Sequence, residues 1–140
     1  MNKIVVCQTD DEIRACYPVM QQLRPHIEAA EFVERVHAQQ VMGYKLVCII
    51  DKETVVAVAG YRPGLNLAWG KHVYVDDLVT DSAARSNGLG QSLLHWLMDE
   101  ARRQDCKQLH LDSGVQRLQA QRFYEREGMH FASKHFVIEV

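Results

Sequence analysis

Residues 74–97 read YVDDLVTDSAARSNGLGQSLLHWL, and this stretch decides the fold. Its first part predicts a strand, because the apolar positions there are largely β-branched: Val73 just before it, then Val75, Leu78 and Val79. A polar arch follows from Asp81. Beyond the arch, apolar residues recur at helical intervals and predict a helix: Leu89, Leu93, Leu94, Trp96, Leu97 and Ala101.

Two glycines, Gly88 and Gly90, stand where the arch meets the helix. The first N–H groups of a helix have no partner within it, and the helix dipole favours an anion there. Glycine lets a large anion approach the backbone because no Cβ stands in the way. The stretch therefore predicts a cradle for phosphate groups. The alternative is a plain strand-turn-helix whose glycines only serve the turn.

The spacing from Arg85 to Gly90 is R-x-x-G-x-G, preceded by an acidic strand. It is not a P-loop, because G-x-x-x-x-G-K-[ST] occurs nowhere in the chain, and Arg85 stands where a dinucleotide fingerprint needs its first glycine. The stretch resembles the acyl-CoA-binding motif of the GNAT superfamily of N-acyltransferases, whose loop wraps the pyrophosphate of coenzyme A. The acidic strand before it and the Leu-rich helix after it strengthen the resemblance.

The 140 residues predict one domain spanning 1–140. With 47% hydrophobic and 24% charged residues, the composition is that of an ordinary globular protein. A net charge of -2 gives no electrostatic reason to expect nucleic acid or an anionic membrane as partner. The apolar runs are too short to span a bilayer, and the N-terminus has no signal-peptide pattern, so we expect a cytoplasmic protein.

Four cysteines, with no C-x-x-C pair, predict buried and reduced thiols rather than a disulfide framework. The seven histidines are scattered, and no His/Cys cluster is visible in the sequence. We therefore expect no metal site, because its ligands would have to come from distant segments.

The element order predicted along the chain is β-α-α-β-β-β-α-β-α-β-β, an α/β domain with a mixed sheet (α+β). That order matches the GNAT fold, in which the sheet splays after the motif strand to admit the pantetheine arm. The predicted helices cover residues 9–23 and 27–42, then start at 89 and cover 115–127. The strands are expected at 3–7, 44–50, 54–61, from 73, and at 108–112, 129–132 and 135–140.

The resemblance implies acetyl-CoA as cosubstrate and assigns residues to it. The backbones of Leu78 and Val79 would pair with the pantetheine amides. The pyrophosphate would be held by the loop and first helical turn: Arg85, Ser86, Asn87, Gly88, Leu89, Gly90, Gln91 and Ser92. Ser113 and Gln116 lie where family members contact the CoA arm and are weaker candidates.

Tyr124 is the candidate acid. The segment from Ala120 to Gly128 (A-x-x-F-Y-E-x-x-G) looks like the GNAT segment whose tyrosine hydrogen-bonds the CoA sulfur. A phenol with a pKa of about 10 can protonate a departing thiolate at neutral pH. The alternative role is that of an aromatic packing the helix on the sheet.

Asp76 and Asp77 are the candidate bases. Successive strand residues point to opposite faces unless a bulge intervenes, so one carboxylate should reach the acceptor cleft. Y-x-x-D-L is similar to polyamine-acetylating GNAT members, which favours Asp76 slightly. The alternative is a loop-capping carboxylate or a pair with Arg85. Three histidines alternate with apolar neighbours on predicted strands, namely His72, His110 and His135. For each of them a structural role is favoured over that of a base.

The resemblance implies an N-acetyltransferase acting by direct attack of a small-molecule or peptide amine in a ternary complex. No Ser/His/Asp or Cys/His constellation is present, and this route requires none. A non-catalytic acyl-CoA sensor on the same fold is the rival, and a nucleotide-binding domain is a weaker third. The acceptor and the acyl length stay open. The apolar segment 136–138 raises the possibility of a homodimer through a sheet edge.

Overall fold

The computed structural model describes residues 2–85 and 87–140. These residues form two compact units, one ending at His110 and the other covering Leu111–Val140, and each is described by itself. The expectation of a single domain spanning 1–140 stays a prediction.

The first unit begins with strand β1 (Asn2–Val6) and three helices, α1 (Asp10–Ala15), α2 (Tyr17–Leu23) and α3 (Ala29–Val41). Three long strands follow: β2 (Lys45–Asp51), β3 (Thr54–Asn66) and β4 (Gly70–Thr80). A 3-10 turn (Ser82–Ala84) then leads to helix α4 (Leu89–Arg103). Strand β5 (Gln108–Leu111) ends at the boundary between the units, and α5 (Leu118–Arg126) is the helix of the second unit.

The five strands form one mixed sheet in chain order, β1-β2-β3-β4-β5, and the first four are antiparallel neighbours. The central strands are apolar on nearly every residue, because helices cover them: Leu46 to Ile49 of β2 and Val55 to Ala59 of β3 are all buried. One face of α4 is buried as well, through Leu89, Leu93, Leu94, Leu97 and Ala101. The predicted α/β class with a mixed sheet is confirmed.

The capping box predicted at Thr9 and Glu12 is present, with the N–H of Glu12 donating to Thr9 Oγ1 at 3.1 Å and the N–H of Thr9 to Glu12 Oε1 at 2.9 Å. The single helix predicted over 9–23 is instead two helices that meet at Cys16. Pro18 in the first turn of α2 explains the break, since proline has no N–H to give to the carbonyl four residues before it.

β3 extends five residues past its predicted end at Tyr61, through Pro63 and Gly64. Residues 62–66 pair with β4 alone, whereas residues 57–61 pair with both β2 and β4. A proline is tolerated there because one side of the strand is unpaired and needs no N–H from it. Gly64 in turn leaves room for the His72 ring, whose Nε2 would lie 2.5 Å from an added Cβ.

The strands predicted over 129–132 and 135–140 are absent: no strand is assigned in the described residues after β5. The segment has the β-branched and aromatic composition of strands. Strand propensity, however, measures fit to a pleated, half-buried surface, and nearly every residue of this segment is exposed, including Phe136, Val137 and Ile138.

No helix within the described ranges is long and apolar enough to cross a membrane.

Candidate active site

β4 carries a β-bulge at Asp76. Gly60 of β3 pairs with Asp77, but the next residue, Tyr61, pairs with Val75, so Asp76 is the extra residue on β4. In a regular strand Asp76 and Asp77 would point to opposite faces of the sheet. A bulge re-aims a side chain, and here both carboxylates line one cavity.

This cavity has a volume of about 310 Å³ and lies in the first unit, bordered by α2, α3 and β4. Apolar side chains form part of its wall, namely Met20, Phe32 and Val36. Its polar lining combines the two carboxylates with cationic or hydrogen-bonding groups: Arg24, His26, Arg35, Gln39 and Tyr44. A ligand here would meet both signs of charge beside an apolar wall.

Arg24 holds the bulge in place with two hydrogen bonds. Its Nε donates to Asp77 Oδ1 at 2.9 Å, and its Nη2 donates to the backbone carbonyl of Asp76 at 2.8 Å. A bulged residue leaves the ladder, so its backbone groups need other partners. Arg24 supplies one of them and fixes the adjacent carboxylate at the same time.

Asp77 is bound on both of its oxygens. The second, Oδ2, accepts a 2.7 Å hydrogen bond from the Tyr44 hydroxyl, and only 12% of the Asp77 side chain is exposed. Burial, and after it the charge of Asp77, raise the pKa of Tyr44 well above its ordinary value, so its hydroxyl remains a donor. Gly60 makes room for this contact, because a Cβ there would overlap the Tyr44 hydroxyl. Asp77 therefore accepts one hydrogen bond on each oxygen, which fixes its position in the site.

Asp76 is the more available carboxylate. Arg62 Nε contacts its Oδ2 at 3.0 Å, and the guanidinium of Arg62 also lies 4.8 Å from the centre of the Tyr74 ring. Burial raises the pKa of Asp76, and the contact with Arg62 opposes that shift. A carboxylate whose pKa is raised toward neutrality is a better proton acceptor, which supports the slight preference for Asp76. In the described part of the chain the partners of the two carboxylates are Arg24, Tyr44 and Arg62, and not Arg85, the alternative considered for them.

Gly88 has the backbone conformation that the phosphate cradle requires. It is the N-cap of α4 with φ of +74°, in the left-handed region that favours glycine, and it contributes no capping side chain. Among the atoms that the structure describes, an added Cβ on Gly88 would meet none within 4 Å. Leu89 is buried and anchors the first turn, whereas Arg85, Asn87, Gln91 and Ser92 are exposed.

The positions of the remaining cofactor candidates of the first unit are these. Leu78 and Val79 lie on β4, opposite Ala59 and Val58 of β3. Gly90 is half-buried in the first turn of α4. Ser86 lies outside the described residues.

The second unit holds the other predicted site residues. Tyr124 lies on α5 with 8% of its surface exposed. Burial raises its pKa, and a hydrogen bond and the charge of Arg117 oppose that shift. The hydroxyl oxygen of Ser113 is buried without a hydrogen-bond partner among the described atoms, which fits a group that awaits a ligand. Gln116 is exposed.

The histidines have structural partners. His72 is buried, and its Nδ1 lies 2.9 Å from the carbonyl oxygen of Gly70. His110 stacks on Trp69 with ring centres 3.6 Å apart. In the second unit, His135 Nδ1 lies 3.2 Å from Asp112 Oδ2. These contacts support the structural role predicted for all three.

The site residues that escaped the sequence reasoning include Arg24, His26, Arg35, Gln39, Tyr44, Gly60 and Arg62. Arg24 and Tyr44 lie far from the motif in the chain, and only packing brings them to it. Gly60 is the one of these residues that the sequence could have indicated, since a glycine inside a strand pattern suggests a bulge or a close approach of another group.

Comparison with known proteins identifies the family of the chain. The model of the "Acetyltransferase (GNAT) family" matches residues 8–129. The uncharacterized N-acetyltransferase YhdJ of Bacillus subtilis (strain 168) is 33% identical over 115 residues, 81% of each chain. Glucosamine 6-phosphate N-acetyltransferase of Arabidopsis thaliana is 29% identical over 89 residues, 60% of this chain and 58% of that protein.

Two solved structures share the fold. A transcriptional regulator from Bacillus halodurans C-125 superposes with a TM-score of 0.88 at 19% identity, over 100% of both chains. The crystal structure of the Arabidopsis thaliana glucosamine-6-phosphate N-acetyltransferase gives 0.80 at 22% identity, over 99% of this chain and 98% of that one. With the family model covering most of the sequence, the chain belongs to the GNAT family of acetyltransferases.

Proposed function

We propose that this protein transfers the acetyl group of acetyl-CoA to a primary amine by direct attack in a ternary complex. The observation that carries the proposal is the bulge of β4, which directs Asp76 into the same cavity as Asp77. Arg24 and Tyr44 both donate hydrogen bonds to the carboxylate of Asp77. The cavity would take the acceptor, and the N-terminus of α4 would take the pyrophosphate.

Asp76 would take a proton from the acceptor ammonium, directly or through one water, because only a neutral amine attacks. The nitrogen then forms a bond to the thioester carbonyl carbon, and the carbon–sulfur bond breaks. The thiolate that departs collects a proton, for which Tyr124 is the proposed donor. Its raised pKa keeps the phenol protonated at neutral pH. The nitrogen of the tetrahedral intermediate gives up its second proton, which restores the phenol of Tyr124. The products are an amide, free coenzyme A and the proton held by Asp76.

The acceptor we favour is an amine that also carries an anionic group. Arg35 lines the same cavity as the two carboxylates, so an ammonium would face a carboxylate and a phosphate or carboxylate would face the guanidinium of Arg35, with His26 as a further polar group. One relative bears the name of an enzyme acting on glucosamine 6-phosphate, an acceptor of this kind. We propose a cytoplasmic site of action, where reduced cysteines and acetyl-CoA coexist.

Release of free thiol from acetyl-CoA tests the proposal, with acceptors in matched pairs such as glucosamine and glucosamine 6-phosphate, and with polyamines, amino acids and peptides. We expect turnover that falls about 100-fold or more in Asp76→Asn. Tyr124→Phe should also lose rate, whereas Asp99→Asn, on the exposed face of α4, should match the parent. Acetyl-CoA binding without turnover on any amine, unchanged in Tyr124→Phe, would favour the rival acyl-CoA sensor.

We also propose a homodimer. The described C-terminal segment exposes a run of large apolar side chains, with 84–87% of Phe136, Val137 and Ile138 accessible, and contiguous patches of this kind mark interaction surfaces. A second copy is the proposed occupant. Light scattering should give twice the chain mass for the parent, and the chain mass for a Phe136→Asp/Ile138→Asp variant. A monomeric parent would refute this proposal and leave the acetyl-transfer proposal intact.

A further inference from the structure

Three buried cysteines from separate segments meet in the core of the first unit. Cys7 follows β1, Cys16 joins α1 to α2, and Cys48 lies in β2. The Sγ of Cys7 lies 3.6 Å from that of Cys16 and 3.7 Å from that of Cys48, and all three sulfurs lie within 4.8 Å of one another. We call these residues the cysteine cluster.

The sequence predicted no such cluster, because no two of its cysteines form a recognisable ligand spacing. The register of the sheet produces it instead. Val5 pairs with Cys48 across β1 and β2, which places the end of β1 beside Cys48, and the capping box at Thr9 then turns the chain back so that Cys16 comes over both. The expectation of no metal site rested on the spacing of the cysteines along the chain, whereas the fold brings together cysteines from distant segments.

The sulfur separations suit a single metal ion. With metal–sulfur bonds of about 2.3 Å, two thiolates on one ion lie about 3.8 Å apart in tetrahedral and about 4.0 Å in trigonal coordination. The two separations of 3.6 and 3.7 Å therefore require shifts of only a few tenths of an ångström, and the third, between Cys16 and Cys48, lies within 4.8 Å and would shorten by up to about 1 Å on binding. Thiolates select soft ions such as Cu(I) and Zn(II).

The number of ligands favours Cu(I). The cluster belongs to an apolar core with Ile13, Met20 and Val58. Cysteine binds metals as the thiolate, so binding releases the protons of the ligating thiols and changes no oxidation state. Structural zinc sites take four ligands, and within the described ranges the cluster offers three.

Hydrogen bonds link the sulfurs of the cluster. The Cys7 thiol donates to Cys48 Sγ, and Cys7 and Cys16 share a second hydrogen bond in which either thiol can donate. The Cys16 thiol has a further acceptor in the carbonyl oxygen of Glu12, 3.5 Å away.

We propose that Cys7, Cys16 and Cys48 bind one thiophilic metal ion, with Cu(I) the best fit. A bound ion would tie β1, the α1–α2 junction and β2 together. Since α2 leads directly to Arg24, the ion would also stiffen one side of the cavity.

The test supplies Cu(I) anaerobically, as its complex with a colorimetric chelator, to the full chain kept reduced with a phosphine. Zn(II) is supplied in a parallel arm. We expect about one copper per chain in the parent and in Cys106→Ala, a matched control with a buried cysteine outside the cluster. Cys7→Ala and Cys48→Ala should weaken binding by more than about 100-fold, beyond what loss of an outer-shell partner costs.

Thermal melts without metal establish whether the alanine variants fold. X-ray absorption on the copper-loaded parent gives an answer even where they do not: we expect three sulfur neighbours at about 2.3 Å. Stoichiometric Zn(II) binding with the same cysteine dependence would support the cluster as a metal site but overturn the preference for Cu(I). Failure of both ions to bind, binding that survives loss of the cysteines, or nitrogen and oxygen neighbours only would overturn the proposal.

Discussion

Arg24 contacts Asp77 through Nε and Oδ1 at 2.9 Å, although 53 residues separate the two in the chain. Through Nη2 the same guanidinium also holds the carbonyl of Asp76, so a single side chain fixes both the bulge and one of its two carboxylates. A planar fork of donors suits this double role, which a lysine cannot fill. Arg24 is a positioning residue: it acts on the proposed reaction through Asp76.

Replacing Arg24 tests this role. Arg24→Ala should lower the free energy of unfolding by about 1–3 kcal/mol, as expected for loss of hydrogen bonds to a charged group, measured by urea titration. The catalytic rate should fall by up to about 100-fold, because Asp76 loses its fixed position. Arg24→Lys should recover little of the rate.

Arg14→Ala is the matched control, since Arg14 makes a 2.8 Å pair with Asp11 that is exposed on both sides. Its removal should change stability by less than about 1 kcal/mol and leave the rate unaltered. If Arg24→Ala behaves like Arg14→Ala, the bulge does not depend on Arg24.

The rate of acetyl transfer should depend on pH through Asp76. The base must be ionised to accept a proton, so the rate should fall as pH drops through the pKa of Asp76, which burial raises above its ordinary 3.8. Arg62 opposes that rise. Arg62→Ala should therefore raise the pKa of Asp76 further and move the acidic limb of the kcat/KM profile to higher pH. Arg102→Ala, exposed on α4, should not move it.

The same raised pKa has a consequence for stability. The folded state binds the proton of Asp76 more tightly than the unfolded chain does. This carboxyl therefore destabilises the fold as pH rises from the unfolded pKa through the folded one.

In the pH profile of kcat/KM, an acidic limb that stays in place in Arg62→Ala would remove Asp76 from the role of base.

Alanine variants of Gly88 and Gly43 distinguish the stability cost of backbone strain from the loss of a ligand site. Both have positive φ, +74° and +99°, and an added Cβ meets no atom within 4 Å at either position. Alanine should therefore destabilise both variants similarly, by about 1–2 kcal/mol. Only Gly88→Ala changes the N-cap of α4, the proposed pyrophosphate site, so calorimetry should find acetyl-CoA binding weakened about 10-fold, or ~1.4 kcal/mol, in that variant alone. Equal affinities in the two variants would argue against the phosphate cradle.

Local pattern was enough to predict most elements, because helical periodicity and capping are encoded within a few residues. The Thr9 capping box and the helix from Leu89 are examples. The features that the sequence did not predict correctly depend on pairing between distant residues. The bulge at Asp76 follows from the register between β3 and β4, and the strands predicted after Gly128 have the composition of strands but no described partner. The cysteine cluster was missed for the same reason.

Gly60 and Gly64 provide a final test, because both lie in β3 and each leaves room for a ring. A Cβ on Gly60 would overlap the hydroxyl of Tyr44, whereas one on Gly64 would crowd His72. Either alanine overpacks its site and should cost about 1–3 kcal/mol of stability, measured by thermal or urea unfolding.

The two variants should differ in activity. In Gly60→Ala the displaced hydroxyl of Tyr44 leaves Asp77 Oδ2 without its 2.7 Å donor, and the cavity changes shape beside Asp76. We expect KM for the acceptor to rise and kcat to fall, with acetyl-CoA affinity unchanged. Gly64→Ala alters a contact outside the cavity, so its kinetics should follow the parent once both proteins are folded. Parallel kinetic losses in the two variants would mean that general destabilisation of β3, rather than the placement of Tyr44 and Asp77, sets the activity.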